Sequence, residues 1–544
     1  MSKTPNRWIG LVFISLAISL VIIDGTIVNT IFPNIIQDLH LSSAQVQWVQ
    51  ESYVLVFASL LIVWGSLSDR FGRRRILLIG IAIFIFASVW AGFATDDTTL
   101  VLARIEQGIG GAMVLPTTLS LVNANFQGRE RGIAFAVWGS TIGGMVAVGP
   151  VLGGWLATDF TWRFAFMINV PIGIFILIGL LIFVRESKAE NIQGRIDFVG
   201  AAISVVMFAT LVFGLIEGRN YGWWLINKTR QFEIFGWKWP TEGLSVIPFV
   251  LAISLIAFVA FFMWTNKRVA AGKSVLFDLS LFKLNSFRNG SIAALIISMG
   301  EFGLIFALPL WLQNIQGLSA VESGLVLLWL AGGAFIASAF GGVLNGKLSP
   351  INSIRIGVLL EIVGAAGIAF VASSETGITG LAPFLAIYGI GVGLATAQLT
   401  GVIMVDVDAE KNGQASGLQS TVRQVGSALG IAVLGTTLFA AGHLSIQNRI
   451  MEIPSLQSIG EKALPSFSDQ IASGVIETSG AAIPSLKAQL ESFGAPAETV
   501  TAITDSARIG FTDGVKATGW AGAILLLIGL GSTFSLRRSK SEQR

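Results

Sequence analysis

Gly65-Ser66-Leu67-Ser68-Asp69-Arg70-Phe71-Gly72-Arg73-Arg74-Arg75 separates two long apolar runs, and its reading decides the fold. Each flanking run is about 20 residues long, enough to cross a ~30 Å hydrocarbon core as a helix. The segment itself is a turn. Its glycines permit a tight reversal at the membrane face. Asp69 can cap a helix N-terminus or pair with Arg73. Its arginines mark the side of the bilayer that retains positive charge. Two apolar helices joined by such a turn make a membrane hairpin.

Working outward, apolar runs of that length recur along a 544-residue chain that is 53% hydrophobic and 12% charged, with mean hydropathy +0.74. This composition excludes a soluble domain. It makes the chain an all-α membrane protein with about 14 transmembrane helices at ~20 residues each. Gly is high at 62, as close packing of membrane helices requires. The first run lacks an A-x-A-like cleavage site and is longer than a signal h-region, so it reads as a retained helix. The net charge of +3 lies in short loops rather than on one face, which argues against nucleic acid. Cys is 0 and the two histidines, His40 and His443, fall in loops. No metal, no cofactor and no enzymatic centre are therefore expected.

The spans group into three blocks: a six-helix bundle over 1–196, two inserted helices over 197–266, and a second six-helix bundle over 267–544. Repeated halves with a site between them are the usual plan of a transporter. Gly342-Val343-Leu344-Asn345-Gly346-Lys347-Leu348 faintly echoes the opening segment in the second half. Two outer connections stand out. Gly218–Glu242 carries Trp223, Trp224, Trp237 and Trp239, which suits an interfacial hairpin. The stretch 443–513, broken by Pro454, Pro465, Pro484 and Pro496, reads as a long outer loop. It is either a solvated cap or a gate and docking surface for a partner protein. Lys and Arg concentrate on the N-terminal side, and the short opposite loops keep only Arg163, which predicts both termini in the cytoplasm.

The Gly65–Arg75 segment resembles the conserved loop of the major facilitator superfamily, G-x-L-a-D-r-x-G-r-[kr]-x. The resemblance implies a conformational latch through Gly65, Asp69, Arg70, Gly72 and Arg73, reaching the start of a helix in the other half near Gly413–Ser416. Leu100–Gly111 is similar to the family's span-four motif with its embedded arginine, here Arg104, and with Gln107 on the same face. Gly149, Pro150, Gly153 and Gly154 resemble the span-five antiporter motif, although Met145 stands where a small residue is usual. Pro150 is expected to kink or loosen its helix. Ile23-Asp24-Gly25-Thr26-Ile27-Val28-Asn29-Thr30-Ile31-Phe32-Pro33, together with Gly413-Gln414-Ala415-Ser416-Gly417-Leu418, resembles the fourteen-helix drug:proton antiporters. Trp48-Val49-Gln50-Glu51-Ser52-Tyr53 matches the acid-bearing W-x-x-[DE]-x-Y of that group's quaternary-ammonium exporters. Trp329 departs from the family's proline. The resemblance spans roughly Trp8 to Ala440 and implies a multi-pass protein of the bacterial cytoplasmic membrane.

Charges inside apolar helices are functional by default. Counting at ~1.5 Å per residue places Asp24, Glu51, Arg104 and Glu301 together in the outer half of the bilayer, and Glu361 in the inner half. Each has a structural reading as well: a local hydrogen bond for Asp24, interfacial hydration for Glu51, a tie between helices for Arg104, a cavity wall for Glu361. Burial disfavours a carboxylate and a nearby arginine favours it, so a group balanced between them can load and release a proton. Asp24 is the expected proton carrier, with Arg104 tuning it and Glu51 assisting. Asp24, Glu51, Glu301, Gln107 and Glu361 are the expected substrate contacts. The function this predicts is proton-coupled export of lipophilic, cationic small molecules. The alternatives are an exporter of one endogenous antibiotic or metabolite and a passive facilitator or channel.

Overall fold

The computed structural model describes residues 6–41, 43–189, 195–227, 231–234, 237–344, 349–375, 377–460 and 463–536. The echo at Asn345–Leu348 and the ends of both termini lie outside them. The chain forms α1 (Arg7–Leu39), α2 (Ser43–Phe71), α3 (Arg73–Gly92), α4 (Asp97–Asn125), α5 (Gly128–Asp159), α6 (Phe164–Met167), α7 (Asn169–Phe183), α8 (Phe198–Tyr221), α9 (Val246–Ala270), α10 (Asn285–Asn314), α11 (Ala320–Leu344), α12 (Pro350–Val371), α13 (Ile378–Met404), α14 (Asn412–Met451), α15 (Leu464–Glu477), α16 (Ile483–Ser492) and α17 (Ala497–Ser532).

Side-chain caps set several helix starts. Asp96 accepts from the Thr99 N–H at the head of α4, Asp197 from Gly200 at α8, and Ser245 from Ile247 at α9. Ser349 caps α12, whose first residue, Pro350, needs no amide partner.

Among the described residues, twelve spans are both long and apolar enough to cross a membrane. Every expected span corresponds to a helix, with α6 and α7 sharing one. The other two expected spans are α4 and α5, at 29 and 32 residues long enough to cross. α4 packs on α2 and α3, and α5 on α1 and α11, so protein covers much of both.

Helices α1 to α7 pack on one another, as do α10 to α14 with α17. Two seams join the groups: α2 against α14, and α5 against α11 and α13. Glycines set both. A Cβ at Gly65 would sit 2.5 Å from the Gly413 carbonyl and 2.7 Å from the Gly417 Cα. A Cβ at Gly154 would meet Val321 at 2.5 Å, and one at Gly324 would meet Val151 at 2.7 Å. The inserted helices α8 and α9 pack on each other, and α8 touches both α2 and α14, so the pair flanks the first seam. The Trp-rich connection forms a two-residue antiparallel ladder, Glu233–Ile234 against Trp237–Lys238.

The stretch expected as a long outer loop is helical. α14 runs 40 residues, about 60 Å, roughly twice the hydrocarbon thickness. α17 starts at Ala497, well before the expected span, and α15 and α16 lie between. The proline breaks seen in the sequence are helix starts: Pro465 and Pro484 each occupy the first turn of a short helix. Asn314 donates to the Ser479 carbonyl at 2.8 Å and Arg508 to the Ile315 carbonyl at 2.7 Å, tying this helical cap to the end of α10.

Candidate functional site

The opening segment builds a clasp across the first seam. Asp69 Oδ1 accepts from Arg73 Nη2 at 2.6 Å and from the Gly413 N–H at 2.8 Å, while Oδ2 accepts from the Gln414 N–H at 3.0 Å. The carboxylate thus occupies the N-terminus of α14, where free amides attract an anion. Arg73 also donates to the Ala409 carbonyl at 2.7 Å. Gly72 has φ +104°, a left-handed conformation that favours glycine, and a Cβ there would strike the Glu186 carboxylate. Glu186 accepts from the Arg74 and Arg75 N–H groups, both at 3.0 Å, and so caps α3. Sequence reading missed Glu186, because its place opposite the loop is set by the return of α7. Arg70 is half-buried beside the clasp. A second fastener lies alongside: Lys411 Nζ meets Asp278 Oδ2 at 2.6 Å, and Gln414 Oε1 accepts from the Asp278 N–H at 3.0 Å. Burial pushes the Asp278 carboxyl up, but the Lys411 and Ser280 hydrogen bonds outweigh it and hold the group below its usual range.

At the far end of the first group, Arg163 pairs with Asp38 at 2.5 Å. That bond first, then one from Trp162, lowers the Asp38 carboxyl.

In the antiporter motif, Gly149 and Gly153 lie against Ile23, Thr26 and Ile27 of α1, while Gly154 faces α11. α5 continues as one helix through Pro150 and packs on α1 and α11.

The structure brings Asp24, Arg104 and Gln107 together. Arg104 Nη1 donates to Asp24 Oδ2 at 2.5 Å and to Gln107 Oε1 at 2.7 Å. Its Nε reaches the Val49 carbonyl at 3.2 Å, its Nη2 reaches Gln50 Oε1 at 3.2 Å, and its guanidinium carbon lies 4.2 Å from the Tyr53 ring centre. Asp24 Oδ1 accepts from Gln107 Nε2 at 3.1 Å and from Asn169 Nδ2 at 2.8 Å. Ser88 Oγ accepts from Gln107 at 2.8 Å. Five helices converge on this fully buried pair. Glu51 follows Gln50 on α2 and is half-buried. Asn169 and Ser88 were missed because a single polar residue in an apolar helix gives no sign of what it faces.

Glu301 does not join that group. It lies in the other half, where Oε2 accepts from Arg423 Nη2 at 3.5 Å and Oε1 from Thr396 Oγ1 at 3.2 Å. Glu361, expected apart from Glu301 in the inner half, lies within electrostatic reach of both Glu301 and Arg423. Depth counting failed here because it treats helices as parallel rods entering one plane. The single layer of charge expected from counting is therefore two clusters, one in each half. Asp24, Glu301 and Glu361 are all buried, so these acids do not share an open vestibule in this conformation. A cavity of about 630 Å³ lies elsewhere, lined by Arg7, Trp8, Phe126 and Arg185 at the loop end of α1, α4 and α7.

Long apolar helices in two groups, glycine seams between them and a buried ion pair in each group define a multi-pass membrane transporter. The chain matches the Major Facilitator Superfamily model over residues 14–431 and belongs to that family. It is 30% identical to the tetracenomycin C resistance and export protein of Streptomyces glaucescens, over 87% of this chain and 83% of that protein. It is 30% identical to the multidrug efflux pump LfrA of Mycolicibacterium smegmatis, over 97% and 95%. Among solved structures, the human organic anion transporter MFSD10 (TETRAN) shares the fold with TM-score 0.60 and 11% identity, over 97% of this chain and all of that one. An inward-facing bacterial homologue of the lysosomal transporter Spinster does so at TM-score 0.53 and 18% identity, covering 99% and 100%.

Proposed function

We propose that this protein exports lipophilic, cationic small molecules across the bacterial cytoplasmic membrane in exchange for protons, with both termini in the cytoplasm. The observation that carries the reading is the pair of acid–arginine clusters, one in each helix group, on either side of the glycine seams. A rocking motion of the two groups would break the Asp69 bonds to Gly413 and Gln414 on the cytoplasmic side and part Gly154 from Val321 on the other. The clasp trades charge-assisted hydrogen bonds, each worth ~1.5–3 kcal/mol, so it can hold one state and still release.

In this conformation every Asp24 oxygen is paired. Protonation of Asp24 in the opened state would free Arg104, and its loss would draw Arg104 back. Glu51, Gln107, Glu301 and Glu361 are proposed as the polar surface that the cargo meets once the seams part. Relatives that are a multidrug efflux pump and an antibiotic export protein support export of drug-like compounds. The Streptomyces relatives, including a probable actinorhodin transporter, favour a second reading, an exporter of one antibiotic.

The test is reconstitution. Purified protein in vesicles should concentrate ethidium when a proton gradient is imposed and release protons when ethidium binds. An Asp24→Asn variant that still pumps uphill would remove Asp24 from the role. Flux indifferent to the gradient would mark a passive facilitator, and transport of a single compound from a panel would mark the narrow exporter.

A further inference from the structure

The C-terminal cluster contains two acids and one cation. Glu361 is fully buried, and among the described residues neither of its oxygens has a hydrogen-bond partner. Its side chain crosses α13 at Gly391, where a Cβ would meet Glu361 Cγ at 2.7 Å. Arg423 is within reach of both carboxyls, yet its one ion pair is with Glu301. Tyr388, also buried, donates to the Glu301 main-chain carbonyl at 3.3 Å, not to Glu361. The charged groups facing Glu361 from the packed helices are thus Glu301 on α10 and Arg423 on α14, with Tyr388 on α13. The part of α17 against this stretch of α12 is apolar, with Gly519 on Ala365 and Ala369. A bare carboxylate without a partner in a dry interior is far less favourable than the neutral acid. One guanidinium can balance only one of two carboxylates.

From this geometry we propose that Glu361 is a proton-carrying site of the C-terminal half, loaded in the closed conformation, and that it hands its proton to Glu301. This rests on the antiport reading and adds a second proton site to it. The exchange balances. The proton leaves a Glu361 oxygen for Glu301 Oε2, Glu301 lets go of Arg423, and Arg423 becomes the counterion of the Glu361 carboxylate. The cluster keeps one proton, one cation and no net charge. Release of that proton leaves one negative charge, which a monovalent cargo restores to zero.

Polar groups continue from the cluster along α13 and α14: Glu301 accepts from the Thr396 hydroxyl, Thr400 Oγ1 donates to the Thr396 main-chain carbonyl at 2.9 Å, and Gln419 Nε2 donates to Thr400 Oγ1 at 3.0 Å. Gln419 lies less than two turns beyond Gly413, the partner of Asp69. Glu361 and Glu301 are sealed, whereas the Arg423 side chain keeps 17% of its surface exposed. Polar side chains thus lie between Glu301 and the clasp.

The test uses the full chain. Infrared difference spectra between neutral and alkaline pH should show a protonated-carboxyl band that disappears in Glu361→Gln and persists in Asp24→Asn. Absence of the band in the unsubstituted protein, or its persistence in Glu361→Gln, overturns the proposal. If Glu361→Gln does not fold, Glu361→Asp should shift the band, and an unshifted band counts against the proposal equally. In vesicles, Glu361→Gln should lose proton-driven ethidium accumulation at least about tenfold. Retained accumulation overturns the proposal. Failure of the unsubstituted protein to couple ethidium to protons instead sinks the antiport reading, and the infrared band still decides whether Glu361 holds a proton.

Discussion

The two halves of this transporter bury acids in opposite ways. In the first, Asp24 meets one arginine, two amides and a shell of aromatic rings, and every oxygen is paired. In the second, Glu301 holds Arg423 loosely at 3.5 Å while Glu361 has no hydrogen-bond partner among the described residues. The first arrangement is electrically closed and stiff. The second is one cation short and therefore able to exchange a proton. Equal numbers of buried charges would have made the halves equivalent; the extra carboxyl does not.

The sharpest way to break this comparison is to remove each arginine. Arg104→Leu strands Asp24 in a dry interior and should destabilise the protein by ~3–5 kcal/mol, read as loss of folded yield or a drop in Tm. The double change Arg104→Leu with Asp24→Leu should recover much of that loss. Arg423→Leu should cost clearly less, about 1–2 kcal/mol, because the remaining acids can be neutral. Equal losses from the two arginines would erase the distinction between the halves.

The clasp comes next. Asp69→Asn keeps the shape and loses the charge, so it should weaken the closed clasp by ~1.5–3 kcal/mol. The expected readout is increased labelling of a cysteine placed at Ser416 in an otherwise cysteine-free chain. Gly65→Val should act in the same direction by steric force, since its Cβ would lie 2.5 Å from the Gly413 carbonyl. Unchanged labelling in both variants would remove the clasp from gating.

The smallest effect belongs to Asp278 and Lys411. The folded-state carboxyl titrates below its unfolded value, so its contribution to stability is present above the unfolded pKa and fades as pH falls through the folded one. Asp278→Asn should cost under about 1 kcal/mol at neutral pH, since the pair is partly exposed. It should cost nothing in strong acid. A penalty independent of pH would assign the loss to the side chain's Ser280 contact instead of the charge.

The sequence located much of this. The clasp partner at Gly413 falls where the spacing and the family resemblance place it, because turn glycines, a helix-capping acid and a glycine-rich helix start are all local features. Asp24, Arg104 and Gln107 were found for a similar reason: a charge in an apolar run is conspicuous. Arg423 was visible as a basic residue in a span, but nothing nearby named its partner, which lies 122 positions earlier. The cap over 443–513 was read as loop because prolines break helical patterns, whereas here they start helices.

The chain by itself settles the membrane environment, the helical architecture, the span positions and the motif residues, since these follow from hydropathy, periodicity and turn chemistry over short stretches. Tertiary packing alone decided which charges meet. Rotation, stagger and glycine-limited distance between helices place Glu361 beside Glu301 and apart from Asp24. A shift of a few ångströms separates a paired carboxylate from an unpaired one, and counting residues along one helix cannot resolve that shift.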